Sequence, residues 1–354
     1  MPATVLLEVL RKPEKMAQLP LKDWNWLLSL ARVTHLLPRL SLQATRLGLL
    51  DEIPEEVHPH LEAARVLAEA HDRELRWEVN RLERALRGIE TPIVLLKGAA
   101  YALAGFPTAE GRLYGDLDFL VPKEKLRLVE EALKEHGWVV REESEFREQY
   151  TRRWLHELPA LVHNQRHTQL DVHHNILPHT DHLRVDAGKL LESALPLRDN
   201  PRFSVLAPTD MVLHGAAHMF RSGDFVSGLR NLVDLDDLLQ QFGREESFWS
   251  DLLGRATALG LRLPCYWGLR YAERFLETPI PHDTKKAIRG WKPFWPPRFA
   301  MDWLVERALL PRHIDRTDRT RDLAMLLLSR YPLSLFRRTI VPKLEWLIMR
   351  SELK

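Results

Sequence analysis

The chain has 354 residues and a formal net charge of +2; 45% of its residues are hydrophobic and 28% are charged. This composition excludes a wholly disordered protein, and the nearly balanced charge allows a nucleic-acid partner but does not indicate one. The single cysteine, Cys265, excludes an internal disulfide. No uncharged apolar run approaches the roughly 18 residues of a membrane span, and the N-terminus lacks a signal-peptide pattern. We therefore predict a cytoplasmic protein.

The first 90 residues have helical periodicity. Two apolar stripes carry this pattern: Trp24, Leu27, Leu28, Ala31 and His35 in the first, and Leu75, Val79, Leu82 and Leu86 in the second. Asp23 precedes the first stripe as a predicted N-cap, and Gly88 follows the second as a predicted helix stop. Both stripes are typical of helix faces that pack on a core.

After residue 90 the apolar runs become shorter and are bounded by glycine and proline. The segments TPIVLLKG, which ends at Gly98, and LYGDLDFLVP, which ends at Pro122, have the length and the flanking breakers of β-strands. The segment KEKLRLVEEALKEHG predicts a helix that stops at Gly137. Farther along, ALVHNQRHTQLDVHHNIL predicts an antiparallel hairpin with its turn at residues 164–167.

The predicted elements divide the chain into three regions. Residues 1–90 form an N-terminal helical region, residues 91–205 an α/β core, and residues 206–354 a C-terminal helical domain. We expect an α+β fold in which a small mixed β-sheet is flanked by the two helical regions. Lys and Arg outnumber Asp and Glu in residues 311–354. Helices packed on the core with solvated arginines are the more frequent cause of such an excess, and a membrane-surface or RNA-binding face is the alternative.

Two aspartates lie in the second predicted strand. Side chains alternate along a strand, so Asp116 and Asp118 share one face while Leu117 and Phe119 point into a core. Neighbouring carboxylates repel each other unless a cation lies between them, and oxygen ligands of this kind suit Mg²⁺. Asp171 in QLDVHH would complete the set if its strand neighbours the first. A solvent-exposed strand face is the structural alternative.

The segment LLKGAA, followed by an arginine and by GDLDFLV, resembles the uncharacterised nucleotidyltransferases, a bacterial branch of the superfamily that includes DNA polymerase beta. The LDVHH, LHGAAHMF and LRNLVDLDDLL segments follow in the order expected of that branch. The resemblance implies two Mg²⁺ ions held by Asp116, Asp118 and Asp171, and a nucleoside triphosphate that touches the loop at Gly98. This sequence departs from most active members at Ala99, where they have a serine or a second glycine.

Lys97 and Arg112 could supply the phosphate contact that Ala99 lacks. For these two residues the structural alternatives are a surface lysine and an ion pair between Arg112 and Glu110. His173 shares the predicted face of Asp171, where it could relay a proton, orient the carboxylate or serve only in packing.

Two further pairs of residues have suggestive spacing. His214 and His218 lie four residues apart on a predicted helix, but the glutamate of a zinc protease motif is missing. Helix packing or a place in the lining of the substrate pocket is therefore favoured over zinc binding. The acidic DLDD segment at 234–237 lies in helical surroundings, where Asp234 is expected to cap the helix or to pair with Arg230.

These features predict an enzyme that moves a nucleoside monophosphate from a triphosphate to an acceptor hydroxyl, with Asp171 as the general base. The acceptor could be a protein side chain, a small molecule or an RNA end. An antitoxin-like transferase that modifies a partner toxin would be a special case. The alternative is a catalytically inactive nucleotide-binding or regulatory module on the same fold, in which Ala99 would be a trace of lost catalysis.

Overall fold

The computed structural model describes residues 2–141, 144–179, 181–222, 225, 227–293, 298–310 and 319–329. Within these ranges the α-helices are α1 Pro2–Arg11, α2 Leu21–Val33, α3 Leu37–Arg46, α4 His58–Ala85, α5 Lys97–Leu103, α6 Leu126–Glu135, α7 Glu145–Trp154, α8 Ala187–Glu192, α9 Pro208–Ala217, α10 Gly228–Phe242, α11 Phe248–Ala258, α12 Arg262–Leu276, α13 His282–Ile288, α14 Arg298–Leu309 and α15 Arg319–Ser329. The strands are β1 Val94–Leu95, β2 Asp116–Leu120, β3 Trp138–Val140, β4 Leu161–His163, β5 Gln169–His173, β6 Leu195–Pro196 and β7 Ser204–Val205. Most of the basic segment 311–354 lies outside the described residues.

One mixed sheet contains all of these strands, in the order β3-β4-β5-β2-β1-β7-β6. Strands β4 and β5 pair antiparallel, which confirms the predicted hairpin. Strand β5 then pairs parallel with β2, in a register that places Asp118 opposite Asp171. The expected α+β class, with a mixed sheet flanked by helices, is confirmed. The division into three domains stays a prediction.

The N-terminal helices confirm one sequence prediction and correct another. The second stripe lies on α4 and at its C-terminal end, and its four leucine and valine side chains are buried. Helix α2 begins at Leu21, because the carbonyl of Pro20 accepts the backbone N–H groups of Asp23 and Trp24. The predicted N-cap at Asp23 is therefore wrong. His35 lies beyond the helix, exposed and with a φ of 57°.

The boundary between β1 and α5 also differs from the prediction. Strand β1 contains only Val94 and Leu95, and α5 begins at Lys97, so Gly98 is the second residue of a helix and not the end of a strand. Lys97 has a φ of 47°, which turns the chain sharply at this point. The backbone N–H of Leu96 still donates to the carbonyl of Asp118 at 3.0 Å, and this bond fixes the turn beside β2.

The core extends over both faces of the central strands. Leu117 and Phe119 are buried on one face of β2, as the alternation predicts, and Asp118 and Leu120 are buried on the other. Burial of Asp118 removes the alternative of a fully solvent-exposed acidic face. In the part of the chain that the structure describes, no helix is both long enough and apolar enough to cross a membrane.

Candidate active site

The structure brings the three predicted carboxylates together. Asp116 and Asp118 lie on β2 and Asp171 on β5, and each offers a carboxylate oxygen within 4.8 Å of the others. Asp116 is exposed at the start of its strand, whereas Asp118 is buried. The parallel pairing of β2 and β5 is the reason for this proximity, because opposed residues of paired strands project from the same face. The set consists only of oxygen donors and fits a hard divalent cation such as Mg²⁺.

Two side chains contact Asp118, and both reach the same carboxylate oxygen. Lys97 Nζ donates to Oδ1 at 3.1 Å, and His173 Nε2 lies 2.9 Å from the same atom. Oδ2 has no hydrogen-bond partner among the described residues. Burial by itself would raise the pKa of Asp118, but the charge of Lys97 and the hydrogen bond from His173 outweigh burial and lower it. Asp118 is therefore ionised and keeps one oxygen available for a ligand.

The other two carboxyl groups have raised pKa values. The charge of Asp118, followed by burial, raises the pKa of Asp116. Burial, followed by the charge of Asp118, raises the pKa of Asp171 to about 7. The charge of Asp118 contributes to both shifts, so the carboxylates repel one another, and a bound cation would relieve the repulsion.

The comparisons with known proteins bear on this cluster. The model of the family described as "Uncharacterised nucleotidyltransferase" matches residues 20–277. The chain belongs to this family. The match includes all three carboxylates and the two strands that carry them, β2 and β5. No curated protein and no solved structure matches the chain.

In this member of the nucleotidyltransferase family, the side chain of Lys97 contacts the acidic cluster, and its backbone makes a sharp turn beside the cluster. Its ammonium group is largely buried against Asp118. Burial would lower the pKa of Lys97, but the charges of Asp118 and Asp116 outweigh burial and raise it. The left-handed backbone of a non-glycine residue costs about 1–2 kcal/mol. Such strain persists where the surrounding structure enforces it, and functional sites are frequent examples.

Gly98 and Arg112 contact each other, which the sequence did not predict. Arg112 Nε donates to Asp234 Oδ2 at 3.0 Å, so the structural alternative of an ion pair with Glu110 is not observed, and Glu110 instead pairs with Arg46. The Arg112 guanidinium is buried and packs directly against Gly98. Gly98 therefore has a packing role in this structure, and Arg112 contributes a buried charge close to the acids. Contact of either residue with phosphate stays a prediction.

Two histidines of the C-terminal region lie close to the acidic cluster. His214 is buried at the end of α9, and His218 begins the π-helical turn that follows it. Their rings are 6.4 Å apart. Burial, followed by the charge of Lys97, lowers the pKa of His214 to about 3 and lowers that of His218 as well. Both rings are therefore neutral at physiological pH, and they lie near Lys97 without adding charge.

Sequence reasoning missed two residues near the site, His156 and Glu157. They follow α7 and precede the hairpin, in a segment without periodicity. The imidazole of His156 and the carboxylate of Glu157 both lie close to His173. The imidazoles of His156 and His173 are 5.4 Å apart, and Glu157 Oε2 lies 3.2 Å from His173 Nδ1. The isolated HE dipeptide has no motif spacing, so only the tertiary structure reveals it.

A cavity of about 140 Å³ opens beside Asp116. Its walls come from α4, the start of β2 and the turn of the hairpin, and include His71, Glu74, Arg166, Thr168 and Gln169. Binding sites for whole small-molecule ligands usually have about 300–1,000 Å³. The cavity therefore has room for a part of a substrate next to the exposed carboxylate.

Proposed function

We propose that this protein is a Mg²⁺-dependent nucleotidyltransferase that moves a nucleoside monophosphate from a nucleoside triphosphate to an acceptor hydroxyl. Family membership supports the reaction class, and the cluster of Asp116, Asp118 and Asp171 is the observation that carries the metal dependence. The placement in the superfamily of DNA polymerase beta, a bacterial origin and a cytoplasmic location belong to the same proposal.

The three carboxylates would hold two Mg²⁺ ions. When bound, such ions neutralise phosphate charge and favour ionisation of the attacking hydroxyl. Asp118 offers its free Oδ2, while Lys97 and His173 keep its other oxygen fixed. Asp116, exposed at the edge of the cavity, faces the side from which a substrate can arrive.

The protein groups around the cluster would orient the reacting atoms. Asp171 lies opposite Asp118 and would accept the proton of the acceptor hydroxyl as its oxygen attacks the α-phosphate and pyrophosphate leaves. Lys97, held within the cluster, would place a positive charge near the phosphates. The neutral His214 and His218 would line the pocket without adding charge.

The test is calorimetric titration with each nucleoside triphosphate, with and without Mg²⁺, followed by transfer of label from the α-phosphate. Asp116→Asn is the preferred variant, because Asp116 is exposed and its loss leaves the buried contacts of Asp118 intact. Asp251→Asn, an exposed aspartate on α11, is the matched control. We expect Mg²⁺-dependent binding that D116N weakens at least tenfold and D251N leaves unchanged.

The inactive module is the second candidate, because Ala99 lacks a phosphate-binding hydroxyl and Arg112 is already paired with Asp234. The same titration distinguishes the transferase from the inactive module. Nucleotide binding that ignores Mg²⁺ and survives D116N would overturn the two-metal proposal in favour of the module. An absence of label transfer to any acceptor, with metal-dependent binding intact, would restrict the protein to nucleotide sensing.

A further inference from the structure

A second cluster of metal-ligating side chains lies beside the three carboxylates. His156, Glu157 and His173 each offer a ligand atom, and these atoms lie within 4.8 Å of one another. We propose that they form a separate site for a divalent cation that prefers nitrogen ligands, with Zn²⁺ as the representative ion. This site does not depend on the nucleotidyl transfer proposed above.

The spacing of two of these ligands already suits a metal ion. His173 Nδ1 and Glu157 Oε2 are 3.2 Å apart. Ligand bonds of about 2.0–2.2 Å in tetrahedral geometry place neighbouring ligand atoms about 3.4 Å apart. An ion could therefore enter between the imidazole and the carboxylate with almost no movement of either, and His156, whose ligand atom lies within 4.8 Å of both, would have to approach them to complete the site.

Unsatisfied nitrogen atoms provide an independent indication of a ligand. The Nδ1 atoms of both His156 and His173 are buried and have no hydrogen bond within the described part of the chain. The side chain of His173 is only 6% exposed, and its Nδ1 faces Glu157. A buried polar atom without a partner costs about 1–3 kcal/mol. A bound cation would remove that cost at His156, and at His173 it would lie between Nδ1 and the Glu157 carboxylate that this atom faces.

The opposite edge of the His173 ring has the partner that metal-binding histidines usually have. Its Nε2 lies 2.9 Å from Asp118 Oδ1, so Nε2–H can donate to this carboxylate. Donation to an anion fixes the tautomer in which Nδ1 carries a lone pair, and it increases the basicity of that nitrogen. The same ring would thereby connect the second metal to the acidic cluster.

Backbone hydrogen bonds hold the three ligands in place. Glu157 forms an antiparallel bridge with His173, and the N–H of Leu158 donates to the carbonyl of Val172 at 2.8 Å. The N–H of His174 donates to the carbonyl of His156 at 2.8 Å. The dipeptide is therefore attached along β5 as a short extra strand segment, which gives the site a rigid base.

The donor set distinguishes this site from the acidic cluster. Two imidazoles and one carboxylate suit Zn²⁺ and the later first-row metals, whereas three carboxylates suit Mg²⁺. Three protein ligands also leave one tetrahedral position for water or a substrate atom. The competing explanation is an imidazolium at His173, bound between Glu157 and Asp118 without any metal.

The experiment is Zn²⁺ titration of the full chain, with X-ray absorption spectroscopy of the bound ion. We expect one Zn²⁺ with two imidazole ligands. His156→Asn and Glu157→Gln should each weaken Zn²⁺ binding at least tenfold, since each replaces one ligand and loss of even an outer-shell partner costs about 10- to 100-fold. His179→Asn, a nearby histidine outside the cluster, and D116N should each change the affinity less than threefold.

Several results would overturn the proposal. A bound Zn²⁺ with no imidazole ligand would place it on the carboxylates, and unchanged affinity in H156N and E157Q would place it elsewhere, for example on His214 and His218. No Zn²⁺ binding to the wild-type protein would favour the imidazolium. Glu157 is 28% exposed, so E157Q is expected to fold, and thermal unfolding in the presence of a chelator checks this.

Discussion

Gly98 lies directly against the guanidinium of Arg112, so closely that a Cβ atom at position 98 would be 2.0 Å from Arg112 Nη1 and 2.9 Å from Tyr114 Cδ1. Arg112 cannot simply move aside, because it is buried and paired with Asp234 on α10. The glycine therefore permits an ion pair that joins the segment before β2 to the C-terminal helices.

We predict that Gly98→Ala lowers the free energy of unfolding by about 1–3 kcal/mol, because it overpacks this contact. The measurement is urea unfolding followed by fluorescence. Gly254→Ala is the control: Gly254 lies within α11 with open space around its Cα, so the substitution should stabilise the protein by about 0.5–1 kcal/mol. Equal stability of G98A and the wild type would contradict the packing role of Gly98.

Removal of the partner of Arg112 should be more costly. Asp234→Ala leaves a buried guanidinium without its carboxylate, and we expect a loss of about 3–5 kcal/mol in the free energy of unfolding. Glu110→Ala removes the partner of the exposed Arg46 and should cost less than about 1 kcal/mol. Chemical denaturation of both variants compares them, and a small loss in D234A would show that the pair is dispensable.

Lys97 and the proposed Mg²⁺ ions would compete for the same carboxylates. We predict that Lys97→Met tightens Mg²⁺ binding to the nucleotide-free protein about tenfold, because the variant lacks the cation that neutralises Asp118. Binding of nucleoside triphosphate should weaken in the same variant. Lys189→Met, at an exposed lysine of α8, should change neither affinity. Weaker Mg²⁺ binding in K97M would show that the lysine supports the cation site.

The ionisation of Glu130 makes a contribution to the free energy of unfolding that depends on pH. Hydrogen bonds from Arg152 lower the pKa of Glu130 to about 2 from its usual 4.5, against the opposing effect of burial. Because the folded pKa is the lower one, the ionised carboxylate stabilises the protein above pH 4.5, and this contribution is lost as the pH falls toward 2.

Glu130→Gln should therefore lower the free energy of unfolding by about 2 kcal/mol at pH 7 and by much less near pH 2.5. Thermal or urea unfolding across this range measures the difference. Glu131→Gln is the matched control, since its pair with Arg127 is exposed. A difference that is independent of pH would assign the effect of E130Q to packing.

The acidic cluster was accessible from the sequence because a strand has a simple period. Alternation places Asp116 and Asp118 on one face, and the polar turn between the two halves of the hairpin predicts the strand that carries Asp171. The sequence does not specify that this strand pairs with β2, and the structure shows the pairing.

No comparable sequence pattern predicts the contacts that surround the cluster. Arg112 and Asp234 are 122 positions apart, and neither residue belongs to a pattern that specifies its partner. Helix α5 begins at Lys97, and the backbone of Lys97 is left-handed, a conformation that helix propensity does not predict for lysine. His156 and Glu157 lie outside every periodic segment, and they meet His173 only through the bridge beside β5.

The parallel pairing of β2 with β5 also determines when the cluster can form. Asp118 and His173 are separated by 55 positions, and α6, β3, α7 and β4 all lie between their strands. Two parallel strands that are distant in sequence pair late, because closing the intervening chain loses entropy before any contact compensates. A nascent chain that ends before β5 therefore carries its first two acids without the third, and affinity for the metal would appear only after this long-range pairing is complete.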